Sequence, residues 1–253
     1  MTEVRGLRLH ASIAVKEKRL EALRAGRDVR DPLLVEAVAD AQLLGSLQLA
    51  GLTFTWDEVK ASRRDGAGPA PLVGLRRAQQ AVEPRAAFSL AALLAWHRAA
   101  TGIDAGFRRG DRQPPAGDRE AIALGGGAPP PAPAAFVESR LTLFERWLDA
   151  ESARALSAAA LGALVLARLV EILPFDEANG RVARLAASHV IVRAGGRPPI
   201  LVAGDAARLR DGLQAAFRLE TGPLARLLEE ASERALDVMI QTLEPPGTGA
   251  ERG

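Results

Sequence analysis

The chain has 253 residues, 48% hydrophobic and 25% charged, which is enough apolar material for one large folded domain and excludes disorder over the whole length. It has no cysteine and only 3 histidines, His10, His97 and His189, which removes disulfide scaffolds, thiol nucleophiles, iron–sulfur clusters and almost every structural zinc site. The net charge is only +2 and the basic residues, all but three of them arginines, are interleaved with acids, so no nucleic-acid footprint is expected.

Taken in chain order, the pattern is helical almost throughout, and the expected fold class is all-α with a short β-hairpin flap. Residues 1–32 read as an N-terminal helical extension without the apolar core of a secretion signal, so a cytoplasmic protein is expected. Asp31-Pro32 is an N-cap with proline at the first helical position, opening a helix whose apolar residues continue toward Gly51. Thr55 and Glu58 form a capping box for a short helix that ends at Asp65-Gly66-Ala67-Gly68-Pro69. Two further helices are predicted over residues 71–82 and 88–100.

Periodicity then disappears from Thr101 to Pro133, where glycine and proline dominate. This stretch reads as a surface excursion with a short hairpin near 121–124, either an ordinary mobile loop or the place where a ligand or partner would dock. Helical order returns with Val137, Leu141, Phe144 and Leu148 on one stripe. Residues 152–172 are apolar on every face and predict one central helix, ended by Pro174. The apolar run from Leu156 to Ala167 is too short for a membrane span. Helices over 180–194, 205–217 and 223–243 complete the chain, with a tail after them, 244–253, expected to be disordered.

The stretch with chemical content runs from Leu173 to Arg184: Leu-Pro-Phe-Asp-Glu-Ala-Asn-Gly-Arg-Val-Ala-Arg. A proline-broken loop leads into a helix start, where free backbone N–H groups favour an anion. Side chains lean toward a helix N-terminus, so Arg181 and Arg184 can both reach back over that point. Glu177 would repel a phosphate there unless a divalent cation lay between them. The plainer alternative is that Asp176 and Glu177 complement the helix dipole and pair with the arginines.

This segment resembles the signature loop of the Fic (Fido) family, His-Pro-Phe-x-Asp/Glu-Gly-Asn-Gly-Arg-x-x-Arg, whose members mostly transfer AMP from ATP to a protein hydroxyl. Pro174, Phe175, Glu177, Asn179, Gly180, Arg181 and Arg184 match. Residues 105–108, Ala-Gly-Phe-Arg, resemble the element before the family's flap, and residues 195–200 resemble the segment immediately after the motif helix. The resemblance implies a Fic-like domain over 33–243, with Mg2+ held by Glu177 and ATP phosphates held by Asn179, Gly180, Arg181 and Arg184. Phe175 would anchor the loop.

Three departures qualify that expectation. Leu173 stands where the family has its catalytic histidine, and Ala178 where the motif has its first glycine. Ser46 to Gly51, near the end of a helix over 36–51, resembles the family's inhibitory helix, but Ala50 occupies the glutamate position, so Arg184 should lack that partner. The plainer reading is an ordinary helix end closed by Gly51. No histidine is expected to replace the base: His189 lies too far along its helix, and His97 and His10 read as surface or satisfied residues. General-base catalysis contributes about 10²–10⁴ in rate, or about 3–5 kcal/mol, so no catalytic residue is assigned and efficient transfer is not expected.

The expected function is therefore a nucleotide-binding pseudoenzyme or a very weak AMP transferase. The alternatives are a transferase with a non-histidine mechanism and a non-catalytic interaction module. Expected partners are an ATP-like nucleotide and a protein docked through 101–133, with a homodimer allowed and neither nucleic acid nor membrane expected.

Overall fold

The computed structural model describes residues 2–24, 31–110 and 130–244, and the fold among them is all-α, with no strand. The elements are α1 (Thr2–Arg24), α2 (Pro32–Leu49), α3 (Trp56–Asp65), α4 (Ala70–Gln80), α5 (Leu90–Thr101), α6 (Ala134–Leu148) and α7 (Glu151–Arg154). After them come α8 (Ala158–Ile172), α9 (Asn179–Arg193), a 3-10 turn (Ala203–Asp205), α10 (Ala206–Ala216) and α11 (Gly222–Leu243). The hairpin expected near 121–124 lies outside the described residues, as do the tail and most of the 101–133 excursion. No described helix is long and apolar enough to cross a membrane.

The helix starts reflect local chemistry. Asp31 accepts from the Leu33 amide at 2.9 Å, and proline comes next at the first helical position. Thr55 Oγ1 accepts from the Glu58 amide at 3.2 Å, while Glu58 accepts from the Thr55 amide at 2.7 Å. The single helix expected over 152–172 is instead two, the four-residue α7 and then α8. Ser157 takes an extended conformation and its Oγ accepts from the Ala160 amide, so a hydroxyl in an alanine-rich run starts a new helix rather than continuing the old one.

Helices α8 and α9 form the centre, joined by the loop 173–178. Val165, Leu166, Leu169 and Ile172 of α8, with Val182, Ala186 and Val190 of α9, are buried in a core shared with α2, α4, α5 and α11. Small residues let the pair approach: a Cβ on Gly162 would lie 2.5 Å from Ile191 Cδ1. A second cluster, around Leu34, Val38, Ile200, Leu236 and Met239, seats α1 through Leu20 against α2 and α11. Lys16 of α1 reaches Glu233 and Asp237 of α11, both at 2.7 Å.

Helix α2 is held rigidly on its other side. The buried Asp40 carboxylate meets Arg76 of α4 at 2.9 Å and Arg63 of α3 at 3.2 Å. Arg76 also donates to Ser62 Oγ and to the Val59 carbonyl. At the far end, Gly45 packs against the stretch after α9, where a Cβ would lie 1.8 Å from the Leu201 carbonyl oxygen. These contacts place the last turn of α2 beside α9.

Candidate functional site

The loop between α8 and α9 is built from two left-handed residues that are not glycine. Leu173 closes α8 with φ 50 and ψ 70, and Ala178 precedes α9 with φ 62 and ψ 11. L-residues cost roughly 1–2 kcal/mol in that region. The methyl of Ala178 therefore leaves the turn in the glycine-favoured conformation and adds strain to it. Leu173 is 0% exposed, so the position expected to carry a base is a packed hydrocarbon side chain.

Between these two residues the loop is anchored at Phe175. Its ring is buried, stacked on His97 at 3.9 Å and 9°, with Phe107 at 5.8 Å on another side. Asn179 closes the backbone around it, accepting from the Phe175 amide at 2.9 Å and donating to the Phe175 carbonyl at 2.8 Å. Both polar ends of the Asn179 side chain thus bond the loop backbone. The donors left at the helix start are the Gly180 and Arg181 amides, which have no acceptor within a helix beginning at Asn179.

The charged groups separate cleanly. Asp176 is exposed and Glu177 half-buried, and neither pairs with another described residue. Arg181, also half-buried, is likewise without an ion pair or hydrogen bond among the described residues. Arg184, 7% exposed, turns toward α2: its Nε donates to Ser46 Oγ at 2.9 Å and its Nη2 to the Ser46 carbonyl at 2.7 Å.

Arg184 has no glutamate at position 50 to meet, and Ser46, one turn earlier on α2, holds it instead. Helix α2 ends with Gly51 at φ 75, the Leu52 amide bonded to the Leu47 carbonyl and the Gly51 amide to the Gln48 carbonyl. The Ala50 amide turns to the Leu47 carbonyl, and Arg184 bonds the Ser46 carbonyl, its cation facing the negative end of the helix. The plainer reading of Gly51 as a helix terminus and the latch on Arg184 are therefore one structure.

Arg181 and Arg184 line a cavity of about 40 Å³ with Ser46, Gln42, Gln79 and Ser188, backed by leucines. That space suits water and not a nucleotide. Among the described residues no cluster of three or more His, Asp or Glu side chains could hold a metal. Glu177 alone therefore fits a magnesium ion only where polyphosphate oxygens and water complete its octahedron.

His97 and His189, expected to be surface or satisfied residues, are both buried. His189 lies edge-on to Trp96 at 5.1 Å. Burial, and then the nearby Arg193 guanidinium, hold its pKa below the ordinary imidazole value, with the Ala86 backbone acting in the opposite direction. Arg108 went unassigned in the sequence. It lies buried under the loop, its amide donating to the Pro174 carbonyl at 2.8 Å. The resemblance of residues 105–108 was the available signal for it.

Residues 87–191 match the Fic/DOC family. The protein adenylyltransferases Fic of Culex quinquefasciatus and Drosophila melanogaster are each 32% identical to this chain over 123 residues, 48% of it and 24% of their own length. The chain thus spans about a quarter of those curated relatives. Among solved structures, a Fic domain containing signaling protein from Bacteroides thetaiotaomicron aligns with TM-score 0.69 at 19% identity, over 92% of this chain and 97% of that one. Fic-1 from C. elegans aligns with TM-score 0.71 at 17% identity, over 96% and 74%. These two likenesses show the fold.

Proposed function

We propose, on the premise of the match of residues 87–191 to the Fic/DOC family, that the chain binds ATP at the start of α9 without efficient transfer of AMP. The observation that carries this reading is a preserved loop around an absent base. Asn179 and Phe175 hold the loop closed and Arg181 stands without a partner among the described residues at its edge, while the base position is a buried leucine.

In this reading the Gly180 and Arg181 amides and the Arg181 guanidinium hold phosphate oxygens. Arg184 takes the terminal phosphate after leaving Ser46. Glu177 would hold magnesium together with the phosphates, and that ion would supply charge neutralisation. Phe175, Pro174, Ala178 and Asn179 keep the loop in shape. The family's chemistry needs a group at position 173 to accept the proton of the attacking hydroxyl, and leucine has no atom for it. The curated relatives are named as protein adenylyltransferases, so a protein hydroxyl is the acceptor class for any residual transfer.

Residues 33–243 carry this function, with the 1–32 extension bracing them through α1. A protein target would dock through the 101–133 excursion. Ser46, Ala50 and Gly51 form a weakened brake in which a neutral hydroxyl and a carbonyl replace the carboxylate.

Calorimetry with ATP and magnesium tests the reading. Binding heat that disappears in Arg181→Ala supports the assigned site, and heat unchanged by that substitution removes it. Labelled ATP with a cell lysate is expected to give no protein labelling by the native chain and clear labelling by Leu173→His. Strong labelling by the native chain would establish a transferase with a different proton acceptor.

A further inference from the structure

Leucine is an unfavourable residue for the left-handed turn at position 173, so neighbouring groups must hold that turn in place. The carbonyls of the turn residue and of the residue after it both end on Arg108. Its Nε donates to the Leu173 carbonyl at 3.2 Å, and its own amide donates to the Pro174 carbonyl at 2.8 Å. The same guanidinium reaches two other stretches of chain, with Nη1 donating to the Gly110 carbonyl at 3.1 Å and Nη2 to the Ala132 carbonyl at 2.6 Å.

The side chain is 3% exposed, and it pairs with no carboxylate among the described residues. A buried guanidinium is costly unless its donors are satisfied. Here every one of its nitrogens meets a backbone carbonyl, and the C-terminal end of α8 supplies negative partial charge. A lysine in this place could not span three separated carbonyls, because its ammonium is a single compact centre.

We infer that Arg108 is a positioning residue that sets the left-handed turn from which the loop 175–181 starts, and that ties this turn to the chain at Gly110 and Ala132. The two ends of the 111–131 stretch and the start of the candidate binding loop are thereby joined through one side chain. The inference rests on the proposed function only in calling that loop a binding loop, and its test needs no nucleotide.

Hydrogen exchange on the ligand-free chain decides it, comparing native protein, Arg108→Lys and the exposed-neighbour control Arg109→Lys. In Arg108→Lys the amides of Phe175 through Val182 should exchange about 10-fold faster or more, with the α2 and α11 amides unchanged. Equal acceleration across the whole core, or the same effect from Arg109→Lys, would overturn it.

A double-mutant cycle separates a role at the turn from general support. Glycine enters the left-handed region freely, so the Arg108→Lys effect should shrink several-fold in a Leu173→Gly background. The cavity left by the leucine is common to both arms of the cycle and cancels. Leu173→Asn, whose side chain also tolerates that region, replaces glycine if the glycine variant does not fold. An undiminished effect in both backgrounds would refute the assignment.

Discussion

Ser46→Ala isolates the contact between α2 and the second motif arginine. It deletes the bond from Arg184 Nε to Ser46 Oγ at 2.9 Å and leaves the bond to the Ser46 carbonyl at 2.7 Å intact. A hydrogen bond to a charged group contributes about 1.5–3 kcal/mol. Arg184 is 7% exposed, so only water in the adjoining cavity of about 40 Å³ can take the place of the lost hydroxyl. The ligand-free state should lose that amount, which at about 2–4 °C per kcal/mol for a chain of this size lowers Tm by about 3–12 °C. A nucleotide whose terminal phosphate takes Arg184 no longer has to break the deleted bond. Its affinity should therefore rise by about 10-fold to 100-fold, at about 1.4 kcal/mol for each factor of ten. Thermal unfolding and calorimetry with ATP and magnesium read the two effects on the same sample. Lower Tm with unchanged affinity would mean that Ser46 supports the fold without restraining the arginine. Unchanged values of both would mean that the bond contributes nothing measurable.

Other contacts give further expected outcomes. Ala50→Glu should weaken ATP binding about 10-fold or more by supplying a carboxylate for Arg184, and calorimetry showing equal affinity would remove the brake from this chain. Ala178→Gly should change stability by no more than about 1 kcal/mol in denaturant unfolding, because relief of about 1–2 kcal/mol of left-handed strain is offset by about 0.8 for the lost methyl and about 0.4–1 for the freer unfolded chain. Asp40→Ala should destabilise by about 3–5 kcal/mol, since it leaves Arg76 buried without its carboxylate; a loss under 1 kcal/mol would refute the importance of that pair. His189 has a lowered folded pKa and so binds fewer protons than the unfolded chain below about pH 6.5. Native stability should therefore fall as pH drops below that value, and more steeply than in His189→Gln; parallel profiles would refute this.

Much of the molecule was legible where the signal is local. Asp31-Pro32, the Thr55–Glu58 box, Gly51 and Pro174 each state a helix boundary through their own backbone and side-chain chemistry, and the structure has boundaries there. The break at Ser157 was less legible, since a serine among alanines is compatible with both a continuing helix and a new start. The site divides in the same way. The Leu173–Arg184 spacing is readable in one dimension, whereas the seat of Arg184 on Ser46 depends on α2 lying beside α9 through the Gly45 contact. The stacking of His97 on Phe175 and the reach of Arg108 to Leu173, Gly110 and Ala132 are likewise set by tertiary placement, which no helical period encodes.

The two bonds between Asn179 and Phe175 make residues 175–179 a small macrocycle, closed by a side chain instead of a covalent link. Position 173 lies outside that ring. Its side chain can therefore be exchanged without recasting the curve of the backbone beyond it, and reactivity and shape become separable properties of one short segment. A change of side chain at position 173, in either direction, therefore has the same closed frame on which to act.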